Sequence, residues 1–193
     1  MCAFLMKIIR KLNALLNYKR TKKKCNQLVP VKKFETENYI LRGADTKDFE
    51  RLKVIYSQFN NYDLSKLNMG LFKRQSEKLI LVSEVINGSK SNIVGMELFY
   101  FNPRDFKAGT IHEGFIGVLP EFEGRGIATA MRKHAIAHFR LSGLNGISTR
   151  ISKNNISSLR SAERLGFKPV EEYFDPVMQE DRYYLVYNFE NNL

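Results

Sequence analysis

Apolar residues recur along the chain with two periods, and the switches between them mark out the elements. At the N-terminus Leu5, Ile8, Ile9, Leu12, Leu15 and Leu16 follow helical spacing, with Lys7, Arg10, Lys11 and Asn13 on the other side. A charged run over 19–24 follows this amphipathic helix, and Pro30 is expected to close the arm. A folded domain is expected from near Phe34. Residues 38–42 read as a first short strand. Asp45 or Thr46 is placed to cap a helix whose Phe49, Leu52, Ile55, Tyr56 and Phe59 share a face. Residues 62–75 read as a second, less regular helical stretch. Two strands, 78–85 and 93–101, are joined through Asn87-Gly88-Ser89-Lys90, and Pro103 ends that hairpin. Further strands are expected at 110–118, 146–152 and 181–189. A long helix over 126–140 would put Ile127, Ala130, Met131, His134 and Ala135 on one face, and another over 155–165 would end at Gly166. There is no internal repeat. The order describes a mixed α/β layer around one sheet.

Charge changes this picture at one end only. The net charge is +11, but residues 1–33 hold ten of the 31 basic side chains and no acid. Residues 34–193 therefore carry nearly as many acids as bases, and a nucleic-acid-binding domain would carry its own basic face, so none is expected as a partner. The chain divides into a basic amphipathic arm and linker, 1–33, and a domain, 34–193. Three readings of the arm stand open: contact with an anionic membrane surface through residues 1–24, packing on the domain or a second copy, and a cleaved targeting segment. The apolar run Ala3–Met6 is too short for a secretory core, and no run of 18 apolar residues exists to span a bilayer. Cys2 and Cys25 have no metal spacing and read as free thiols in a reducing compartment, so the expected location is the cytoplasm, with the inner membrane face as an alternative.

The stretch with chemical content is Val118-Leu-Pro-Glu-Phe-Glu-Gly-Arg-Gly-Ile-Ala-Thr-Ala-Met131, in which a strand ends, glycines turn the chain and a helix starts. Unpaired N–H groups at a helix start point one way, and the helix dipole adds partial positive charge. Glycines admit a ligand close to the backbone, so a pyrophosphate is the natural guest, with Arg125 available for a charged contact. The spacing is not that of a dinucleotide fold, because position 129 is Thr, and there is no Gly-Lys-Ser/Thr of a nucleotide-triphosphate loop. This stretch resembles the acetyl-CoA pyrophosphate loop of GNAT acyltransferases, Gln/Arg-x-x-Gly-x-Gly/Ala. Gly124 and Gly126 match and Ile127 and Ala128 fit, while Glu121 stands where Gln or Arg is usual and Glu123 where a basic residue is common. A second block, Asn155-Ile-Ser-Ser158 through Leu165-Gly166-Phe167, resembles the family's helix along the pantetheine arm. The opening Tyr39-Ile-Leu-Arg-Gly-Ala-Asp also fits the family's start.

The resemblance implies a GNAT-like, mostly antiparallel mixed sheet flanked by helices, and transfer of an acetyl group from acetyl-CoA to a primary amine on a small molecule or peptide. It assigns the backbone of Phe115, Ile116, Gly117 and Val118 to the pantetheine and thioester carbonyl, the loop Gly124, Arg125, Gly126, Ile127 and Ala128 to the pyrophosphate, and Asn155 and Ser158 to the pantetheine arm. Glu113 is the favoured general base, with His112 and Glu97 as alternatives. Adjacent strand residues face opposite sides, so His112 and Glu113 cannot share one face. The tyrosine that many relatives carry in the second block is Ala162 here, which leaves Tyr173, Tyr183, Tyr184 or Tyr187 as acids. His134 and His138 are four apart on the long helix, but no HExxH pattern or third ligand accompanies them and no metal is expected. Two other readings remain: a catalytically silent CoA-binding module, and a membrane-recruited binding protein acting through its arm. A monomer and a homodimer are both compatible with the chain.

Overall fold

A computed structural model describes residues 2–59, 69–88 and 90–190. Its elements are α1 (Cys2–Gln27), β1 (Phe34–Glu35), β2 (Tyr39–Gly43), α2 (Phe49–Phe59), α3 (Met69–Arg74), α4 (Ser76–Leu79), β3 (Ile80–Asn87), β4 (Lys90–Tyr100), α5 (Pro103–Ala108), β5 (Thr110–Val118), α6 (Ile127–Leu141), β6 (Gly146–Ser152), α7 (Ile156–Leu165), β7 (Lys168–Asp175) and β8 (Glu180–Asn188). The eight strands form one sheet in the order β1-β2-β3-β4-β5-β6-β8-β7. Every pair is antiparallel except β5–β6.

Helices cover both faces. Phe99 of β4 meets Phe139 of α6 with ring centroids 4.6 Å apart. Its neighbour Leu98 lies across from Phe115, whose ring meets Tyr56 and Phe59 of α2. Successive strand residues face opposite sides, so α6 and α2 lie on opposite faces. One face buries Ile127, Met131, Ala135 and Phe139 of α6 with Leu159 and Ala162 of α7; the other takes Phe49, Leu52 and Ile55 of α2. The end of α1 joins the same core through Cys25 and Leu28.

Several expectations are corrected. Residues 78–79 belong to a helical turn, and the strand starts at Ile80. Pro103 opens a short helix as well as ending the hairpin: Asn102 accepts from the amides of Arg104 and Asp105, Asp105 accepts from the Asn102 amide, and proline suits a first helical turn. A strand not expected from the sequence, β7, forms the far edge of the sheet; it is solvent-exposed along most of its length, so no alternating apolar pattern marks it. Asp45 caps a single 3₁₀ turn, Thr46–Asp48, that leads into α2. Of the stretch 62–75, residues 62–68 lie outside the described residues.

Candidate active site

The parallel pair β5–β6 is short. It runs from Thr110 opposite Gly146 to Glu113 opposite Thr149, and then the strands part. Beyond that point β5 stays with β4 as far as Val118, while β6 stays with β8 as far as Ser152. The edge of β5 from Gly114 onward therefore has no ladder partner on this side, and such an edge is a row of N–H and C=O groups seeking one. A β-bulge starts the divergence: Leu98 faces Phe115 and Phe99 faces Glu113, which leaves Gly114 as an extra residue. A side chain there would meet the Tyr100 ring, whose Cε1 lies 2.3 Å from the Cβ position.

The wedge opens into a cleft of about 1130 Å³. Its walls include Tyr56 and Phe59 of α2, Phe115 and Ile116 of β5, Asn155 and Ser158 at the start of α7, and Asp175, Val177, Met178 and Arg182 around the β7–β8 turn. Gly117 and Val118 lie further along β5, buried. Just past β5 the glycine turn leads into α6. Gly124 and Gly126 have φ of 72° and 76°, the left-handed region that glycine enters without strain, and a Cβ on either would meet nothing within 4 Å. Gly126 is the N-cap of α6, and no side chain caps the helix start. Ile127 is buried and Ala128 half-buried beneath it, so the apolar side chains anchor the turn while its backbone faces outward. The Arg125 guanidinium donates to the Glu121 carbonyl (3.1 Å) and lies over the Phe122 ring, folded back along the loop. Asn155 caps α7 by accepting from the Ser158 amide (3.0 Å).

The two favoured base candidates do fall on opposite faces. Glu113 points towards α6, where Arg132 holds it bidentately, with Nε to Oε2 at 3.0 Å and Nη2 to Oε1 at 2.7 Å. Arg132 also donates to the Ser158 carbonyl (3.2 Å) and Oγ (3.0 Å), and the Thr149 hydroxyl donates to Glu113 (3.3 Å). One guanidinium thus ties β5 to α7 across the floor of the wedge. Burial opposes charge on Glu113, but Arg132 outweighs it and holds the carboxyl below its ordinary range. Glu97, fully buried on the same side, is pushed well above the carboxylate range by burial and by the charge of Glu113.

His112 lies on the other face, 2% exposed, between the rings of Tyr100 and Tyr184. Its Nδ1 is 2.8 Å from Ser148 Oγ, which donates to Asp105 Oδ1 at 2.7 Å. Ser148 has one proton and gives it to Asp105, so Nδ1 carries the imidazole proton. Burial lowers the His112 pKa to about 4 and keeps the ring neutral. His112 does not line the cleft, and neither do Tyr173, Tyr183, Tyr184 and Tyr187. Among the described residues, the tyrosine that does is Tyr56, which the sequence marks only as a core-facing helix residue. His134 Nε2 binds the Lys32 carbonyl at 2.7 Å, and His138 packs on Phe139.

Arg132 is the central residue that the sequence reading passed over. A signal was present: it is three residues before Ala135 and seven before Phe139, in step with a buried helix face, where a charge requires a partner.

The molecule is thus a mixed α/β fold whose sheet parts between β5 and β6 beside an uncapped, glycine-led helix start. The model of the acetyltransferase (GNAT) family matches residues 45–167, and the chain belongs to this family. Among solved structures, the NatC complex bound to Gag peptide and CoA aligns at 18% identity over 79% of this chain and 99% of the other, with a TM-score of 0.70. Arabidopsis thaliana Naa50 in complex with the bisubstrate analogue CoA-Ac-MVNAL aligns at 17% over 79% and 99%, with a TM-score of 0.63. YncA from Salmonella typhimurium, a putative acetyltransferase with acetyl-CoA, aligns at 20% over 79% and 94%, with a TM-score of 0.64. At these identities the likeness is one of fold. A search of curated proteins finds no match.

Proposed function

We propose that this chain transfers the acetyl group of acetyl-CoA to a primary amine. The observation that carries the reading is the uncovered backbone of the Gly124–Gly126 turn, placed beside the unpaired edge of β5. The amides at the start of α6 suit the pyrophosphate, since the glycines leave open space and Arg125 is folded aside. The edge of Phe115–Val118 suits the amides of the pantetheine, with Asn155 and Ser158 on the opposite wall. An edge N–H near the bulge would polarise the thioester carbonyl as its oxygen gains charge.

The amine attacks the carbonyl carbon, the C–N bond forms, the C–S bond breaks, and the thiolate takes up a proton. The amine must first lose a proton. Glu113 is spent on Arg132, and burial with the charge of Glu113 favours the neutral form of Glu97, so this proton leaves through water in the open cleft, with Glu113 supplying negative charge behind it. Tyr56 brings a phenol to the cleft wall, and among the described tyrosines it is the one we assign to assist the leaving thiolate. The acceptor side combines apolar Phe59, Val177 and Met178 with Asp175 and Glu180, both of which pair with Arg182, so it offers a partly apolar wall of mixed charge that suits a peptide-like body.

The test is thermal stabilisation of the full chain by acetyl-CoA, followed by release of free CoA thiol over a panel of peptide and small-molecule amines. Absence of stabilisation at millimolar donor would sink the reading. A second reading, a silent CoA-binding module, draws on the pairing of Glu113 with Arg132 and on buried Ala162; it expects stabilisation without thiol release from any amine.

A further inference from the structure

The described end of the apolar stripe of α1, Leu15 and Leu16, is left half-exposed by the fold. The helix docks through its last turns: Cys25 is fully buried, Leu28 nearly so, and Tyr18 accepts a hydrogen bond from Arg74 (3.0 Å). Leu16 precedes Cys25 by nine residues, two and a half turns, and so lies on the side opposite the docked face. Leu15 and Leu16, the last members of the stripe, are each 51% exposed. In the sequence Leu5, Ile8, Ile9 and Leu12 recur in step with them.

A basic pocket continues the same face. Arg20, Lys23, Lys24 and Gln27 follow Leu16 at intervals of 4, 7, 8 and 11, and with Lys107, Phe106 and Pro103 of α5 they enclose about 490 Å³. None of these four cations is in an ion pair among the described residues, and the pocket has no acid in its lining. Four unpaired cations in a concave site call for phosphate-bearing anions. Exposed leucines in line with them call for an apolar phase beside those anions. Nucleic acid supplies only the first, and an anionic bilayer surface supplies both. No helix among the described residues is long and apolar enough to cross a membrane, so the contact is one of lying on the surface.

We infer that α1 and the α1–α5 pocket form a docking surface for an anionic lipid bilayer, with Leu15 and Leu16 entering the acyl boundary and Arg20, Lys23, Lys24 and Lys107 taking headgroup phosphates. The surface lies apart from the wedge, so docking is separable from acetyl-CoA binding. The test is co-sedimentation of the full chain with vesicles of phosphatidylcholine, with and without one-third phosphatidylserine. Binding is expected only with phosphatidylserine. The pair Leu15→Asn and Leu16→Asn, and separately the triple Arg20→Glu, Lys23→Glu and Lys24→Glu, should each weaken it by about tenfold or more, with stabilisation by acetyl-CoA unchanged. No binding to phosphatidylserine vesicles would overturn the inference, as would binding that neither variant weakens. Equal binding to a homopolymer RNA, insensitive to the leucine changes, would assign the surface to nucleic acid instead. A gel-filtration dimer dissolved by the leucine changes would assign it to a second copy.

Discussion

Arg132 and the two glutamates around it place a charged cluster where the sheet opens, and its balance is set by burial. Truncating one partner of a buried ion pair strands the other, so Arg132→Met should cost about 3–5 kcal/mol in chemical denaturation. Glu97 behaves in the opposite sense. Its folded pKa lies above the ordinary 4.5, so its contribution is fully present below that value and is lost as pH rises towards the folded pKa. Glu97→Gln should therefore raise stability at neutral pH, and the gain should shrink as the pH is lowered towards 4.5; a variant less stable than the parent at pH 7.5 would contradict this. The histidines act at the acid end. His112 falls from 6.5 to about 4 by burial, so the unfolded chain binds the extra proton between these values and stability is lost as pH falls through that window. The shift is worth on the order of 3 kcal/mol. His112→Gln should flatten the stability profile between pH 6.5 and 4. The sequence supplies the identities of these groups and, by alternation, that His112 and Glu113 part company. It does not say which of them is paired, because that depends on Arg132 arriving from a helix 19 residues away.

At the level of elements, the glycine turn and α6 carry the donor site. Gly126→Glu would put a β-carbon into left-handed backbone, at a cost of roughly 1–2 kcal/mol, and a carboxylate into the open space over the amides. The free protein should melt a few degrees lower, and the shift produced by acetyl-CoA should disappear. A shift of undiminished size would remove this turn from the donor site. Asn155→Ala should cost about 1 kcal/mol through loss of the α7 cap, a smaller effect than at Gly126. These turns are legible in the chain because glycine, proline and capping side chains act over a few residues. For the same reason the Asn102-Pro103 start of α5 was there to be read, as a proline inside a capping box. The β7 strand was not: Lys168, Glu171 and Glu172 give it no apolar face, and only its ladder with β8 makes it a strand.

For the molecule as a whole, a donor that binds the folded chain alone stabilises it by mass action. At a hundredfold excess over Kd, acetyl-CoA should contribute about 2.7 kcal/mol, a rise in Tm of roughly 5–10 °C for a domain of this size. Differential scanning fluorimetry across a donor titration would check it. The chain alone was enough to name the secondary structure around the glycine turn, the second block at Asn155 and the family they resemble, because each depends on residue type and spacing within one short segment. It also held the apolar stripe and charge of α1. Only the folded chain decided that β5 and β6 part after Glu113, that Arg132 bridges to Ser158, and that α1 docks through Cys25 with Leu16 turned outward. Those features arise where segments distant in sequence meet, and the energy that selects them, burial of charge and of apolar surface, is a property of the contact rather than of either strand or helix by itself.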